Sequence, residues 1–172
     1  MRKLAFALAM LLPVMALAGS VRDLSQPMGV VSGYDKARLV GQWFQVARSD
    51  SWIEADCQGV TVSIAAREDS RLTLKLACHK GAPDGPLVPI EGILAEVMPG
   101  VYYWRLVRLA QLGDLELAVL WAAQDDSMVV IGSRTGQMGW VLARSPDADV
   151  AQGVQVLVDN GYDPGAIDPV KH

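Results

Sequence analysis

Two cysteines and one histidine are the residues whose types and spacing could carry out chemistry. Cys57 and Cys78 are the only cysteines of the 172-residue chain, and His79 directly follows the second one. A thiolate beside an imidazole can act as a nucleophile, so one hypothesis is an enzyme that uses Cys78 and His79. This hypothesis requires Cys78 to be a free thiol of low pKa inside a pocket.

Other features of the sequence argue against catalysis. His79 has no evident acidic partner, and the other histidine is His172. Ser-His-Asp spacings are absent, and Cys78-His79 has no second pair of residues at metal-ligand spacing. We therefore expect a protein that is not an enzyme, with no catalytic residue, no metal site and no cofactor.

Residues 1–18 have the pattern of a secretory signal peptide. Arg2 and Lys3 precede an apolar run over residues 4–18, which ends in the sequence ALA before a glycine. The alternative is a membrane anchor, but these 15 apolar residues fall short of the roughly 20 that a spanning helix needs. We therefore expect a soluble protein that is exported to the periplasm.

Export changes the interpretation of the two cysteines. In an exported protein they suggest one disulfide, which we predict between Cys57 and Cys78. Such a bond would stabilise the fold by on the order of 3 kcal/mol if it acts by restricting the unfolded chain. A pair of buried free thiols is the alternative.

Length and charge limit the possible partners. Cleavage after Ala18 would leave 154 of the 172 residues, which suits a single domain. Without Arg2 and Lys3, the formal net charge falls from −4 to −6. A chain with this charge has no electrostatic reason to bind nucleic acid or anionic lipid surfaces.

Eight short apolar runs separated by turn residues predict the β-strands that must position any site. The predicted strands cover about residues 43–49, 60–66, 72–77, 90–97, 101–109, 115–122, 128–133 and 138–144. Turns of two to four residues between successive strands predict an antiparallel meander. Eight such strands could close into a barrel or pack as a sandwich.

A helix is predicted after the last strand. It starts at Pro146-Asp147, carries apolar residues at 150, 154, 157 and 158, and ends at Gly161. Gly153 costs this helix roughly 1 kcal/mol, so its apolar stripe must pack on the outer wall of the sheet. Residues 19–33 are predicted as an extended arm, 35–40 as a helical turn and 162–172 as an extended tail.

Side-chain alternation constrains the strands further. In the first strand, Trp43, Gln45 and Ala47 are predicted to share one face. Cys57 is in phase with the polar face of its strand and Cys78 with the apolar face, whereas directly opposed residues must share a face. A disulfide therefore needs one extra residue in one strand, and Gly59 is the predicted site of that β-bulge.

Three segments occur in an order typical of one family. Residues 34–48 read YDKARLVGQWFQVAR, residues 129–146 read VVIGSRTGQMGWVLARSP, and residues 161–167 read GYDPGAI. With Glu91-Gly92, they resemble the lipocalin family in its bacterial and apolipoprotein-D-like branch. The resemblance covers residues 34–167 and leaves 168–172 as a tail. It implies an all-β fold, an eight-stranded antiparallel up-and-down β-barrel with one C-terminal α-helix packed outside.

The resemblance also implies a structural pair at one end of the barrel. In the family, the tryptophan of the first strand lies under the arginine that ends the last strand, which here pairs Trp43 with Arg144. Without this context, Trp43 could equally be an ordinary core aromatic. The family usually has Trp-Tyr-Glu where this chain has Trp43-Phe44-Gln45, so Gln45 keeps the shape of the glutamate and loses its charge. Residues 1–18 lack the cysteine that anchors many bacterial lipocalins to lipid.

The function implied by the resemblance is binding of a small hydrophobic ligand in the barrel, such as a fatty acid, a lysophospholipid or a similar lipid, for transport or storage. The strand phases give the candidate ligand-binding residues Val62, Leu74, Tyr102, Trp104, Leu117, Trp121 and Trp140, and the resemblance adds Gln45 at the position of the family's glutamate. The alternative for each of them is that it only fills the barrel. Two other functions stay open: a barrel that binds a protein through its rim without a ligand, and an enzyme acting on a lipophilic substrate.

The open end of the barrel carries the loop 51–59. Trp52 and Ile53 are two large apolar residues in this otherwise polar stretch. They could form a lid, touch a membrane transiently or simply pack within the loop.

Overall fold

Nine β-strands, one α-helix and three short 3₁₀ turns make up residues 19–172, the part of the chain that the computed structural model describes. The predicted signal peptide, residues 1–18, lies outside the described residues. The barrel strands are β1 Gly41–Ser49, β2 Cys57–Ala66, β3 Leu72–Lys80, β4 Leu87–Met98, β5 Val101–Leu106, β6 Leu115–Ala122, β7 Met128–Gly132 and β8 Gly139–Ala143.

These eight strands form a closed barrel, as the resemblance implies. Each strand pairs antiparallel with the next, β8 pairs with β1, and β1 also pairs with β2. The sandwich alternative is therefore wrong. Because successive strands alternate in direction, the connections β1–β2, β3–β4, β5–β6 and β7–β8 lie together at one end of the barrel, and Trp43 lies near the other end.

Two apolar clusters lie on the two sides of the barrel wall. The inner cluster fills the barrel and includes Val62, Leu74, Trp104, Leu117 and Trp140. The outer cluster lies between the wall and the segments that cover it, and includes Val46, Ala118, Val130, Val141 and Leu157. The strands therefore bury both faces over part of their length, which the alternation in β2 and β3 alone does not reveal.

The disulfide and the bulge that it requires are both confirmed. Cys57 and Cys78 are bonded and have Cα atoms 5.1 Å apart. Along β2, Gln58 pairs with His79 while Thr61 pairs with Ala77, so β2 holds one extra residue at this point. Gly59 lies there with a φ of +54°, a backbone conformation that glycine adopts at little cost. The bulge turns Cys57 to the buried inner side, where Cys78 already lies in phase with the apolar face of β3.

Two further bulges contradict the predicted strand faces. In β1, Gln45 pairs with Leu142 and Ala47 with Val141, so Val46 is the extra residue. After it, Ala47 packs in the outer cluster, so the prediction that it shares a face with Trp43 is wrong. Because each bulge reverses the inward and outward phase of the residues that follow, side chains beyond it change sides.

The second bulge moves a predicted ligand-binding residue out of the barrel. Val119 pairs with Ile131 and Trp121 with Val130, which leaves Leu120 as the extra residue in β6. Trp121 therefore packs against the outer cluster instead of lining the interior. The prediction that Trp121 points inward is wrong for this reason.

The helix α1 covers Ala151–Asp159 and begins later than predicted. Its N-cap is Val150, and Asp149 just before it accepts a hydrogen bond from the backbone N–H of Ala151. Gly153 faces the barrel so closely that a Cβ atom there would lie 2.4 Å from Cγ1 of Val141. The glycine that lowers helix propensity is thus what lets α1 reach the wall. With nine residues, α1 is the longest helix in residues 19–172 and is too short to span a membrane.

The segment after α1 ties the helix to the barrel. The Tyr162 hydroxyl donates to the carbonyl of Met138 at 2.6 Å and accepts from the backbone N–H of Ser133 at 2.8 Å. Burial raises the pKa of Tyr162 to about 12, so the phenol stays protonated and keeps its donor role. The GYDPGAI segment thereby fastens the end of α1 to the β7–β8 connection.

Both flanking segments pack on the barrel. In the arm 19–33, Val21, Met28 and Val30 pack on the outer cluster, and the backbone N–H of Val31 donates to the carbonyl of Val119. After α1, a ninth strand that was not predicted, β9 Ile167–Pro169, pairs antiparallel with the end of β1. The tail continues between β1 and β2, where Gly59 donates to the Lys171 carbonyl.

Candidate functional site

The barrel interior is closed at one end by a cation over an aromatic ring. The Arg144 guanidinium carbon lies 3.4 Å from the centre of the Trp43 ring. Arg144 also donates to the carbonyls of Gln42 and Val40, and Trp43 Nε1 donates to the carbonyl of Leu39 at 2.7 Å. The contact implied by the resemblance is therefore present, and it joins the start of β1, the preceding turn and the end of β8.

The wall of the interior is apolar and rich in aromatic rings. Val62, Leu74, Leu117, Trp104 and Trp140 are all fully buried in the inner cluster. The rings of Trp104 and Trp140 meet edge to face with centroids 5.6 Å apart. An interior of this composition favours apolar groups, since the burial of each methylene contributes about 0.8 kcal/mol of favourable free energy.

Two polar atoms of this wall are buried without a hydrogen-bond partner. They are the Tyr102 hydroxyl and Trp104 Nε1. Burial is also the main reason that the pKa of Tyr102 is raised, so its phenol is neutral and able to donate. A buried donor without a partner costs about 1–3 kcal/mol, which a polar group placed inside the barrel would recover.

A carboxylate caps the interior from the open end. Glu54, in the β1–β2 connection, is only 1% exposed. Its Oε1 accepts from Gln45 Nε2 and its Oε2 accepts from Trp140 Nε1, both at 2.7 Å. The neighbouring Ile53 packs on the inner cluster, while Trp52 is 43% exposed at the rim. This connection is therefore folded back into the barrel.

The neighbours of Glu54 compensate only part of the cost of burying its carboxylate. Burial raises its pKa, and the hydrogen bonds from Gln45 and Trp140 and the charge of Arg48 oppose that rise only in part. Arg48 points inward after the β1 bulge, where it donates to Gln45 Oε1 at 3.4 Å and to the Cys57 carbonyl at 2.7 Å. The ionised form of Glu54 thus has two donors but lacks the water that an exposed carboxylate would have.

A cleft at the rim leads to this carboxylate. Its volume is about 390 Å³, and Arg48, Trp52, Glu54 and Gln137 are among its lining residues. The cleft lies between the β1–β2 and β7–β8 connections. If the Glu54 side chain left its donors, it could therefore enter this cleft.

The predicted site residues are divided by the structure into two groups. Gln45, Val62, Leu74, Tyr102, Trp104, Leu117 and Trp140 are buried in or against the barrel interior, whereas Trp121 lies outside. Sequence reasoning missed Glu54 and Arg48. The apolar pair Trp52-Ile53 directly before Glu54 was the available signal, because apolar residues in a polar loop indicate that part of the loop is buried.

The hypothesis of a cysteine nucleophile is wrong. Both cysteines are in the disulfide, and His79 Nδ1 lies 2.9 Å from the carbonyl oxygen of Gly85. Within residues 19–172, no group of three or more His, Cys, Asp or Glu side chains is placed to hold a metal ion.

A closed eight-stranded antiparallel barrel, plugged at one end and covered by one outer helix, is the architecture of the ligand-binding β-barrels. Residues 34–172 match the family model of the lipocalin-like domain. The chain therefore belongs to the lipocalin-like family, whose members generally bind small hydrophobic ligands and are typically not enzymes. A search of curated proteins found no match.

Solved structures with the same fold share little sequence with this chain. Lobster apocrustacyanin A1 is 15% identical, with a TM-score of 0.63 over 80% of this chain and 79% of the other. The cockroach allergen Per a 4 is 12% identical, with a TM-score of 0.63 over 85% and 93%. Insecticyanin from the tobacco hornworm is 15% identical, with a TM-score of 0.63 over 85% of each chain. Likeness at this level shows the fold alone.

Proposed function

We propose that this protein binds a small lipid, such as a fatty acid or a lysophospholipid, inside the barrel for transport or storage. The observation that carries the proposal is an apolar aromatic interior that contains two buried hydrogen-bonding groups without partners, Tyr102 and Trp104. A purely structural core is expected to satisfy such groups or omit them. An amphiphile offers an apolar body for such an interior and a polar group that can form hydrogen bonds within it.

Ligand entry requires the interior to rearrange. Glu54 and Ile53 cover the open end, and the Trp104 and Trp140 rings occupy the space below them. The barrel wall is a continuous hydrogen-bonded sheet, whereas the β1–β2 connection is a loop. The loop is therefore the element that moves when a lipid enters.

The test combines native mass spectrometry with a tryptophan fluorescence titration. Native mass spectrometry of the purified protein should detect a co-purified lipid, and titration with a fatty acid should change tryptophan fluorescence saturably. Leu117→Trp narrows the interior and should abolish the response. The matched control is Leu24→Trp, the same change at a residue that is 58% exposed on the N-terminal arm. An empty protein without a response to any lipid would overturn the proposal.

A second candidate function is a barrel that binds a protein through its rim and holds no ligand. The close contact of Trp104 with Trp140 favours it, because well-packed rings leave less room for a ligand. The same titration separates the two candidates, since only the first predicts a lipid response that Leu117→Trp removes.

We also propose that the protein is exported to the periplasm and belongs to the bacterial and apolipoprotein-D-like branch. The Cys57–Cys78 disulfide supports an oxidising compartment. The intact mass of the protein from a periplasmic fraction should correspond to a chain that starts at Gly19. A mass that includes residues 1–18 would contradict export with cleavage.

Transient membrane contact at the barrel mouth is proposed through Trp52 alone. Ile53 packs inward, so it does not contribute as the sequence suggested, while Trp52 is exposed beside the rim cleft. Trp52→Ser should remove any co-sedimentation with neutral phospholipid vesicles. Equal co-sedimentation of both proteins would contradict this role.

A further inference from the structure

Two donors on the barrel wall converge on a single carboxylate. Gln45 Nε2 and Trp140 Nε1 each bind a different oxygen of Glu54 at 2.7 Å. Arg48 donates to the other end of the Gln45 amide, which orients its NH₂ group towards Glu54. All three side chains come from the neighbouring strands β1 and β8, so the backbone that carries the donors is part of the paired barrel wall and not of the loop that carries Glu54.

The acceptor belongs to a different kind of element. Glu54 lies in the connection between β1 and β2, and its carboxylate reaches the interior only because this loop folds back. Gln45, Arg48 and Trp140 are called the cradle: Gln45 and Trp140 donate to the Glu54 carboxylate, and Arg48 donates to Gln45. Charge-assisted hydrogen bonds of this kind are roughly twice as strong as neutral ones, which suits recognition of an anion.

We propose that the cradle binds the carboxylate head of an acidic ligand and that Glu54 occupies it in the ligand-free protein as an internal competitor. This inference rests on the proposed lipid-binding function and narrows it to ligands with a carboxylate on an apolar chain, of which a free fatty acid is the simplest. A neutral lipid of the same length offers the cradle no negative charge.

The position of the cradle agrees with such a ligand. Trp140 contributes its Nε1 to the cradle and its ring to the contact with Trp104, so the apolar interior begins where the cradle ends. A chain whose head replaces the Glu54 carboxylate would extend towards Leu74 and Leu117. The displaced Glu54 has an exit, because it already lines the cleft at the rim.

The apolar tail of the ligand is what allows it to displace Glu54. Desolvation is the largest cause of the raised pKa of Glu54, and the carboxylate of the ligand would lose its water in the same place, so this cost largely cancels between the two head groups. The incoming head group takes over the donors, and the tail adds favourable burial that Glu54, with its short side chain, does not provide.

The experiment compares two ligands on three proteins. Dodecanoic acid and dodecan-1-ol are titrated at neutral pH into the wild type, Glu54→Ala and Glu68→Ala, with tryptophan fluorescence as the signal. Glu68 is an exposed glutamate in the β2–β3 turn at the opposite end of the barrel. Loss of the competitor should tighten acid binding about tenfold and leave alcohol binding within about twofold, while Glu68→Ala matches the wild type.

Trp140→Phe gives a test that does not depend on the loop variant folding. It removes one donor and keeps an aromatic ring, so it should reduce the preference for acid over alcohol about tenfold. Near-ultraviolet circular dichroism reports whether each variant is folded. If Glu54→Ala is unfolded, the comparison of the wild type with Trp140→Phe decides.

The outcomes separate this inference from the proposed function. Equal binding of acid and alcohol by every variant would overturn the cradle and leave lipid binding intact. Unchanged acid affinity in a folded Glu54→Ala would overturn the role of Glu54 as competitor. Binding of neither ligand to any variant would overturn the proposed function itself, and with it the inference.

Discussion

The buried carboxylate of Glu54 should make the stability of the protein depend on pH in a defined direction. Burial raises the pKa of Glu54 above its ordinary value of 4.5, with Arg48 as the nearby positive charge. Between 4.5 and the raised value, the folded state holds a proton that the unfolded chain has lost. Stability must therefore fall as the pH rises through this window. Replacement of Glu54 by glutamine removes the titration and should abolish this fall.

The size of the effect follows from linkage. Across the window, the free energy of unfolding of the wild type should decrease by up to about 1.4 kcal/mol per pH unit relative to Glu54→Gln. Below the window, both states of the wild type are protonated, and above it both are ionised, so the difference between the two proteins is constant. Other titrating groups are common to both proteins and cancel.

The measurement is urea unfolding of both proteins, followed by tryptophan fluorescence, at intervals from pH 4 to pH 8. Glu68→Gln makes the same change at an exposed position and is the control. A flat difference for Glu54→Gln would refute the argument from burial. A wild type that gains relative stability as the pH rises would show that the bonds from Gln45 and Trp140 outweigh desolvation.

Three further variants test the packing. Arg144→Met removes the cation over Trp43 together with its bonds to backbone carbonyls, and should lower the free energy of unfolding by about 1–3 kcal/mol in urea. Gly153→Ala should lower stability by about 1–3 kcal/mol although it raises helix propensity, because its Cβ has no space, and a thermal melt measures this. Replacement of Cys57 and Cys78 by serine should cost on the order of 3 kcal/mol in urea unfolding.

Each of these predictions has a control and a result that would contradict it. Arg108→Met makes the same exchange on an exposed residue of the β5–β6 connection, and Gln152→Ala introduces alanine at an exposed position of α1. Each should change stability by less than about 0.5 kcal/mol. Wild type unfolded with a reductant should match the serine variant. Equal effects at Arg144 and Arg108 would contradict a special role of the Arg144–Trp43 contact. A stabilising Gly153→Ala would contradict the lack of space at this glycine. A serine variant as stable as the oxidised protein would contradict the contribution of the disulfide.

The bulges show where sequence reasoning succeeds and where it fails. The bulge at Gly59 could be predicted because two cysteines that must bond fix the relative phase of two strands, and a glycine lay between them. The bulges at Val46 and Leu120 could not, since no covalent bond or glycine marks them. Trp121 was therefore assigned to the wrong side of a strand whose limits were predicted correctly.

The inward position of Glu54 and the ninth strand β9 were not predicted from the sequence, for a related reason. Period-2 alternation identifies strands that are half buried over several residues, and β9 has only three residues. The β1–β2 connection has no period, so Trp52 and Ile53 could indicate only that part of this loop is buried, and not that the Glu54 side chain would turn inward. The wall of the site was thus predictable from strand phase, while its polar element depended on the conformation of one loop.

The three partners of β1 determine when the barrel can close during folding. Phe44 pairs with Ala143 and Ala47 with Pro169, so these contacts close loops of about 100 and about 120 residues. The β2–β5 hairpins need only local contacts and can form first, which leaves β1 with an open edge. An open edge can pair with another chain. The rate at which β8 and β9 dock on β1 therefore decides between closed barrels and edge-to-edge aggregates.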